Sequence, residues 1–274
     1  MGARHKPDGN RREIESMFQL PVSGLCVTAS APTGIDDLLL QEVDALDIAL
    51  ALKLISRLVR MEDGSKADWS ELPVSDIEAL LLLLRFVALG DLVRASVSCS
   101  ASTQCAAKVD VSFRIGEYVS SQKIRTPRGL EKTEAQGWYR LAGEQVRFRL
   151  PTGKDLLAIG REPAQSIALI RRCIEPANIF ARLRKRVESA MEGMAPRFSQ
   201  TMVGSCPECN ANIRFYFDVY SFVLQELRNH AASVYQDVHL LAFHYKWPES
   251  EILDLPRSRR MQYVRMLREQ GAAA

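Results

Sequence analysis

No stretch of this chain is long and apolar enough to cross a bilayer. The most apolar window, Ile77 to Leu84, is closed by Arg85 and Asp91, far short of the ~20 residues a spanning helix needs. Met1 to Glu15 is polar and charged. Without an apolar h-region it reads as a disordered arm, taken as 1–20, and not as a secretory signal. The expectation is a cytoplasmic protein in a reducing compartment, with no membrane span. Net charge is also small: 36 Lys+Arg against 33 Asp+Glu leave +3, a weak footprint for a nucleic-acid binder. The one basic run, Arg182, Arg184, Lys185 and Arg186, is spread by helical spacing around a solvated face.

Catalytic motifs are missing too. There is no GxSxG, no phosphate-binding Walker loop and no Rossmann glycine fingerprint. His230, His239 and His244 share one helical segment but lack the i, i+4 spacing of a helical metal pair. The acid pairs Asp36/Asp37 and Glu249/Glu251 suit helix starts, where the dipole favours negative charge. The chain therefore reads as no enzyme, with no catalytic residues and no small-molecule substrate.

What is present is paired cysteine. Cys206-Pro207-Glu208-Cys209 is a metal-knuckle signature, and Cys99 and Cys105 form a longer second pair. The residues after each pair match step for step. Val109, Val111, Phe113, Ile115, Tyr118 and Val119 correspond to Ile213, Phe215, Phe217, Val219, Phe222 and Val223. Each pair supplies half of a four-thiolate site, and zinc is the favoured metal because it takes four thiolates tetrahedrally. Such a site has no open coordination position and acts as a structural clasp. The polar filler between Cys99 and Cys105 is longer than a standard knuckle, so reduced thiols or a local disulfide stay open as alternatives. A redox role for the CPEC motif fits less well, because that chemistry sits at a strand-to-helix turn and this motif lies between two alternating strands. Cys26 and Cys173 lie in apolar periodic segments and read as core.

The repetition extends upstream. Pro32-Thr33-Gly34 recurs as Pro151-Thr152-Gly153, and Val27, Ala29 and Ala31 map onto Val146, Phe148 and Leu150. Ile48-Ala49-Leu50 maps onto Ile167-Ala168-Leu169, with the register carried through Ile55/Ile174. A duplicated module follows. The fold class expected is α+β and mainly helical. It consists of a duplicated strand–helix module, two β-hairpin cysteine knuckles forming a zinc-ribbon-like site, and C-terminal helices. The boundaries read as a first module over 21–120, a linker over 121–140, a second module over 141–223 and a helical region over 219–274.

Within these, a strand runs from Leu25 to Ala31, and one helical period from Leu38 to Met61. A second helix over Ile77 to Leu89, capped by Gly90, is apolar nearly all round and reads as a central core element. Trp138 to Leu150 reads as a hairpin turning at Ala142-Gly143. The longest helix is expected over Val219 to Tyr245, with Pro248 and Pro256 restarting short helices after it.

The segment Leu72-Pro73-Val74-Ser75-Asp76-Ile77-Glu78, then Leu84-Arg85, Gly90-Asp91, a strand and Cys99, resembles the baseplate protein family of T-even-type contractile phages. The stretches Val238 to Trp247, Glu251 to Arg257 and Arg259-Arg260 look like the tails of proteins from phage-tail-like contractile injection systems. The resemblance implies a structural or assembly component of a contractile baseplate, binding other tail proteins and incorporated into the particle. Trp247, Arg257, Arg259, Arg260 and Tyr263 offer the aromatic and arginine anchors that interface centres favour. The competing expectation is a zinc-ribbon nucleic-acid or transcription adaptor. It would need basic residues around the knuckles, whereas Glu208, Asp110 and Asp218 are acidic.

Overall fold

The structure, a computed structural model, describes residues 17–99, 105, 107–122, 124–160 and 165–272. Most of the arm foreseen at 1–20 lies outside these residues. Its last part is ordered: β1 (Phe18–Gln19) pairs antiparallel with β2 (Cys26–Ala29), and Leu20 is buried.

The first module begins with β2, which also pairs with β3 (Val59–Met61). Between these strands the single helix expected over 38–61 is two helices, α1 (Gly34–Glu42) and α2 (Ile48–Leu58). The break has a local cause. Val43 is extended, and the Asp47 carboxylate accepts from the N–H groups of Ala49 and Leu50, which restarts the chain as a new helix. A 3-10 turn at Trp69–Glu71 leads through Leu72-Pro73 into α3 (Val74–Leu89), ended by Gly90 at φ 87°. Ile77 to Leu84 are all buried, so α3 is the central helix its composition foretold. Helices α2 and α8 (Val219–His230) pack against it. The hairpin β4 (Leu92–Ser98) and β5 (Lys108–Arg114) follows, and then α4 (Ile115–Ser121).

Next comes the sheet of β6 (Leu130–Lys132), β7 (Trp138–Leu141), β8 (Arg147–Arg149) and β9 (Ile174–Glu175), in that order. Strand β6 lies inside the stretch read as linker. Its pairing to β7 brings residues 130–132 and 138–140 of that stretch into the sheet. Gly143, at φ 77°, turns the chain from β7 into β8, as the hairpin reading expected. Helices α5 (Gly153–Ile159), α6 (Gln165–Arg172) and α7 (Ala181–Met194) accompany this sheet. The second knuckle hairpin is β10 (Gln200–Ser205) with β11 (Asn212–Phe217).

Helix α8 does not run to Tyr245. It ends at Ala231, whose N–H lies on the carbonyls of the preceding turn, and α9 (Val234–Tyr245) starts afresh after Ser233. Ser233 Oγ donates to Asp237 Oδ2 at 3.1 Å, and Asp237 meets Arg260 at 3.3 Å, so the restart aims Asp237 into the C-terminal packing. Helices α10 (Glu249–Asp254) and α11 (Arg257–Ala272) pack back on α9.

The two Pro-Thr-Gly helix starts share local detail. Thr33 and Thr152 begin α1 and α5 with the same box: Asp36 Oδ2 accepts from both the N–H and the O–H of Thr33, and Asp155 Oδ2 does so for Thr152. Ala29 pairs with Val59, and its counterpart Phe148 pairs with Ile174. The counterpart of Ile174 is thus Val59 and not Ile55, which sits inside α2. The second module has a shorter helix at that point, and the shared register stops there.

Candidate metal centre and the junction it closes

Each cysteine pair sits at the tip of a two-stranded hairpin. The ladder of the first runs to Ser98↔Lys108, and Cys99 follows immediately, with its N–H on Ala107 O at 2.9 Å. The ladder of the second runs to Ser205↔Asn212, and Cys206 follows, with its N–H on Ala211 O at 2.9 Å. The CPEC turn closes through Asn210 N–H on Cys206 O at 2.9 Å, with Asn210 at φ 55°. Asparagine tolerates that left-handed conformation better than most residues. An Asn directly after a CxxC pair is a turn signal readable in the sequence. The filler between Cys99 and Cys105 lies outside the described residues.

The hairpins meet tip to tip. The sulfurs of Cys99, Cys105, Cys206 and Cys209 all lie within 4.8 Å of one another. Cys99 Sγ is 3.8 Å from Cys209 Sγ, and Cys105 Sγ is 3.8 Å from Cys206 Sγ. None of these cysteines is in a disulfide. A tetrahedron with metal–sulfur bonds of ~2.3 Å has S···S edges of about 3.8 Å, so these two separations are compatible with a four-thiolate metal site. Backbone amides aim at the second knuckle: the N–H of Cys209, then that of Glu208, pull the Cys206 thiol down to about 7. A thiolate is the form that binds metal. Cys99 and Cys206 are buried beside Ile213, whereas Cys209 is exposed. Cys26 and Cys173 stand apart from this cluster. Cys173 is buried in the second module's core, and that burial pushes its thiol up to about 12.

Below the sulfurs an aromatic layer continues the junction. Phe113 packs on Tyr118 at 5.1 Å, and the corresponding Phe217 packs on Phe222 at 5.2 Å. Helices α4 and α8 start at the corresponding residues Ile115 and Val219. Ser199 ties this layer to α3. Its Oγ lies 2.6 Å from Glu78 Oε1 and accepts the Val219 N–H at 3.1 Å. Burial raises the Glu78 carboxyl to about 7. In the sequence Glu78 looks like one more helix glutamate; only the fold brings Ser199 to it.

The motif around Pro73 is explained residue by residue. Asp76 accepts the N–H groups of Val22 and Ser23 at 2.9 and 2.8 Å, which anchors the β1–β2 turn. Arg85 grips Glu226 through Nε and Nη2 at 2.9 and 2.8 Å and donates to Gly90 O and Leu92 O. Asp91 Oδ1 accepts from Gly116 N–H at the start of α4. Pro73 itself bridges Thr152 of the second Pro-Thr-Gly turn.

The residues expected at a partner surface divide. Arg257 and Arg260 are buried. Both pair with Asp37 of α1, and Arg260 also pairs with Asp237. Their charges are spent inside the fold, which removes them from a partner surface. Trp247 stacks on Tyr245 at 4.9 Å and meets Tyr263 edge-on at 5.0 Å, both half-buried. Arg259 is exposed.

Among the described residues no helix is long and apolar enough to cross a membrane. A sequence model described as T4 bacteriophage base plate protein matches residues 36–179. That span runs from within α1 to just past β9 and includes the Leu72-to-Glu78 motif and the first cysteine pair. No curated protein and no solved structure matches.

Proposed function

The chain belongs to the T4 bacteriophage base plate protein family, and on that premise we propose that it is a non-enzymatic structural or assembly component of a contractile, phage-tail-like baseplate. It acts by binding other tail proteins. The observation that carries this reading is the family match across more than half of the chain, residues 36–179. The internal chemistry agrees with it. The distinctive polar residues of the motif, Asp76, Arg85 and Asp91, are engaged in holding the fold.

The four cysteines hold a structural zinc ion in this reading. Cys99, Cys105, Cys206 and Cys209 supply all four ligands, and the ion clasps the two hairpins together. Bound metal contributes folding free energy directly, because the unfolded chain has no preformed site. Arg259 and the exposed edges of Trp247 and Tyr263 remain the partner-facing part of the C-terminal helices.

The test is a deletion of the gene in cells that make the complete particle, with the purified particles probed for the chain. The reading expects defective baseplates on deletion, and either incorporation of the chain or its recovery with baseplate intermediates. Normal particles without the gene would overturn it.

A further inference from the structure

The same docking joint occurs twice within the chain. In the first instance Leu72-Pro73 opens α3 and lies against Pro151-Thr152-Gly153. Pro73 bridges Thr152, the Val74 N–H meets Pro151 O at 2.9 Å, and the Gly153 N–H meets Leu72 O at 3.1 Å. Helix α5, which starts at that turn, then packs over α2. In the second instance Leu255-Pro256 opens α11 and lies against Pro32-Thr33-Gly34. Pro256 bridges Thr33, and the Arg257 N–H meets Pro32 O at 3.2 Å. Helix α1 starts at that turn and packs on α10. Both glycines are needed for close approach. A Cβ on Gly153 would lie 2.7 Å from Ile77 Cδ1, and one on Gly34 would lie 2.8 Å from Leu253 Cα.

The chain carries a third opening of this kind, and among the described residues no Pro-Thr-Gly turn docks on it. Helix α7 corresponds to α3, since each leads by the same number of residues to the first cysteine of its knuckle. Ile179-Phe180 therefore stands where Leu72-Pro73 stands in the first module. The residues before the two helices share one backbone shape, Pro73 at φ −52°, ψ 142° and Phe180 at φ −59°, ψ 145°. Yet Phe180 is 88% exposed, and the Ala181 N–H has no partner among the described residues. Helix α6 corresponds to α2, and its Ile167 is 48% exposed. Between Phe180 and α6 lies a cavity of about 870 Å³, lined in part by Ile167, Ile170, Ile174, Ile179 and Met191. Its lining includes α6 together with Ala177 and Asn178, the counterparts of α2 and of Ser70 and Glu71 in the 3-10 turn, the two elements of the first module that α5 packs on.

We infer that this cavity is the receptor for a strand–Pro-Thr-Gly–helix turn of another protein, whose helix seats between α6 and Phe180 as α5 seats on α2. A second copy of this chain cannot supply that turn, because both of its own turns are already docked. The partner is a different protein carrying the same module. The chain is thus capped at one end by α9 to α11 and open at the other, the usual condition for adding a neighbour in a modular array. This deepens the baseplate reading by naming the surface and the class of partner. Its test does not depend on any particle.

The probe is a synthetic peptide copying residues 146–160, titrated to millimolar concentration into the full-length chain and followed by NMR. Shifts confined to Ile167, Ile170, Phe180 and Ala181 are expected. Phe180→Asp, at a residue too exposed to matter for folding, should weaken binding at least tenfold, as should Gly153→Val in the peptide. Absence of shifts, shifts elsewhere, or indifference to either substitution overturns the inference. So does concentration-dependent self-association of the full chain that Phe180→Asp abolishes. A particle that assembles without the chain would sink the baseplate reading and leave this binding result standing.

Discussion

Phe113 and Phe217 hold corresponding positions in the two hairpins, and their rings meet edge to face, 5.5 Å apart at 86°. Corresponding residues touch one another only near a local twofold axis. The sulfurs obey the same relation. The leading cysteine of each pair lies beside the trailing cysteine of the other, Cys99 with Cys209 and Cys206 with Cys105. The two hairpins therefore face each other across one axis, with sulfur at the tips and aromatic rings beneath.

That contact is measurable. Edge-to-face ring pairs contribute about 0.5–1.5 kcal/mol beyond burial. A double-mutant cycle of Phe113→Leu and Phe217→Leu, read by urea unfolding, should return a coupling in that range. Additive single effects would place the rings out of contact.

The buried charge network predicts a larger loss. Asp37→Asn leaves Arg257 and Arg260 facing a neutral group inside the fold. Breaking one side of a buried ion pair costs about 3–5 kcal/mol. Limited proteolysis should then cut α11 first, because those pairs tie it to α1.

The two docked glycines should respond unequally to Ala. At Gly34 the new Cβ meets the backbone of Leu253, which cannot yield locally; at Gly153 the nearest atom is the end of the Ile77 side chain. Overpacking costs about 1–3 kcal/mol. Thermal unfolding should place Gly34→Ala at the upper end or beyond and Gly153→Ala at the lower.

Glu78 gives a pH signature. Its folded-state value, about 7, lies above the unfolded 4.5 because burial penalises the charged form. The folded chain therefore holds that proton more tightly. The contribution is full below pH 4.5 and is lost as pH rises through 7, by up to about 3 kcal/mol. Glu78→Gln should flatten stability between pH 4.5 and 7.5 and leave the variant the more stable one at pH 8. An unchanged slope would assign that dependence elsewhere.

Much of this arrangement is legible in the sequence because it is local or repeated. The CPEC turn, the two Pro-Thr-Gly helix starts and the all-apolar α3 announce themselves by spacing. What escapes notice depends on distant partners. Arg257 and Arg260 look like surface charges on a short helix until Asp37 is brought against them. The break at Ala231 leaves no proline or glycine behind; it serves the meeting of Asp237 with Arg260. Strand β6 is short and polar, and only its pairing with β7 makes it a strand. Phe180 reads as an ordinary helix start, and its exposure gains meaning only against the docked Pro73.

The central claim is that one metal ion joins the two hairpins through all four sulfurs. Native mass spectrometry of the purified chain tests it most directly. The account predicts a single bound zinc, lost in Cys206→Ser and in Cys105→Ser alike but retained in Cys173→Ser. A folded chain that carries no metal, or one whose metal survives loss of Cys105, would contradict it.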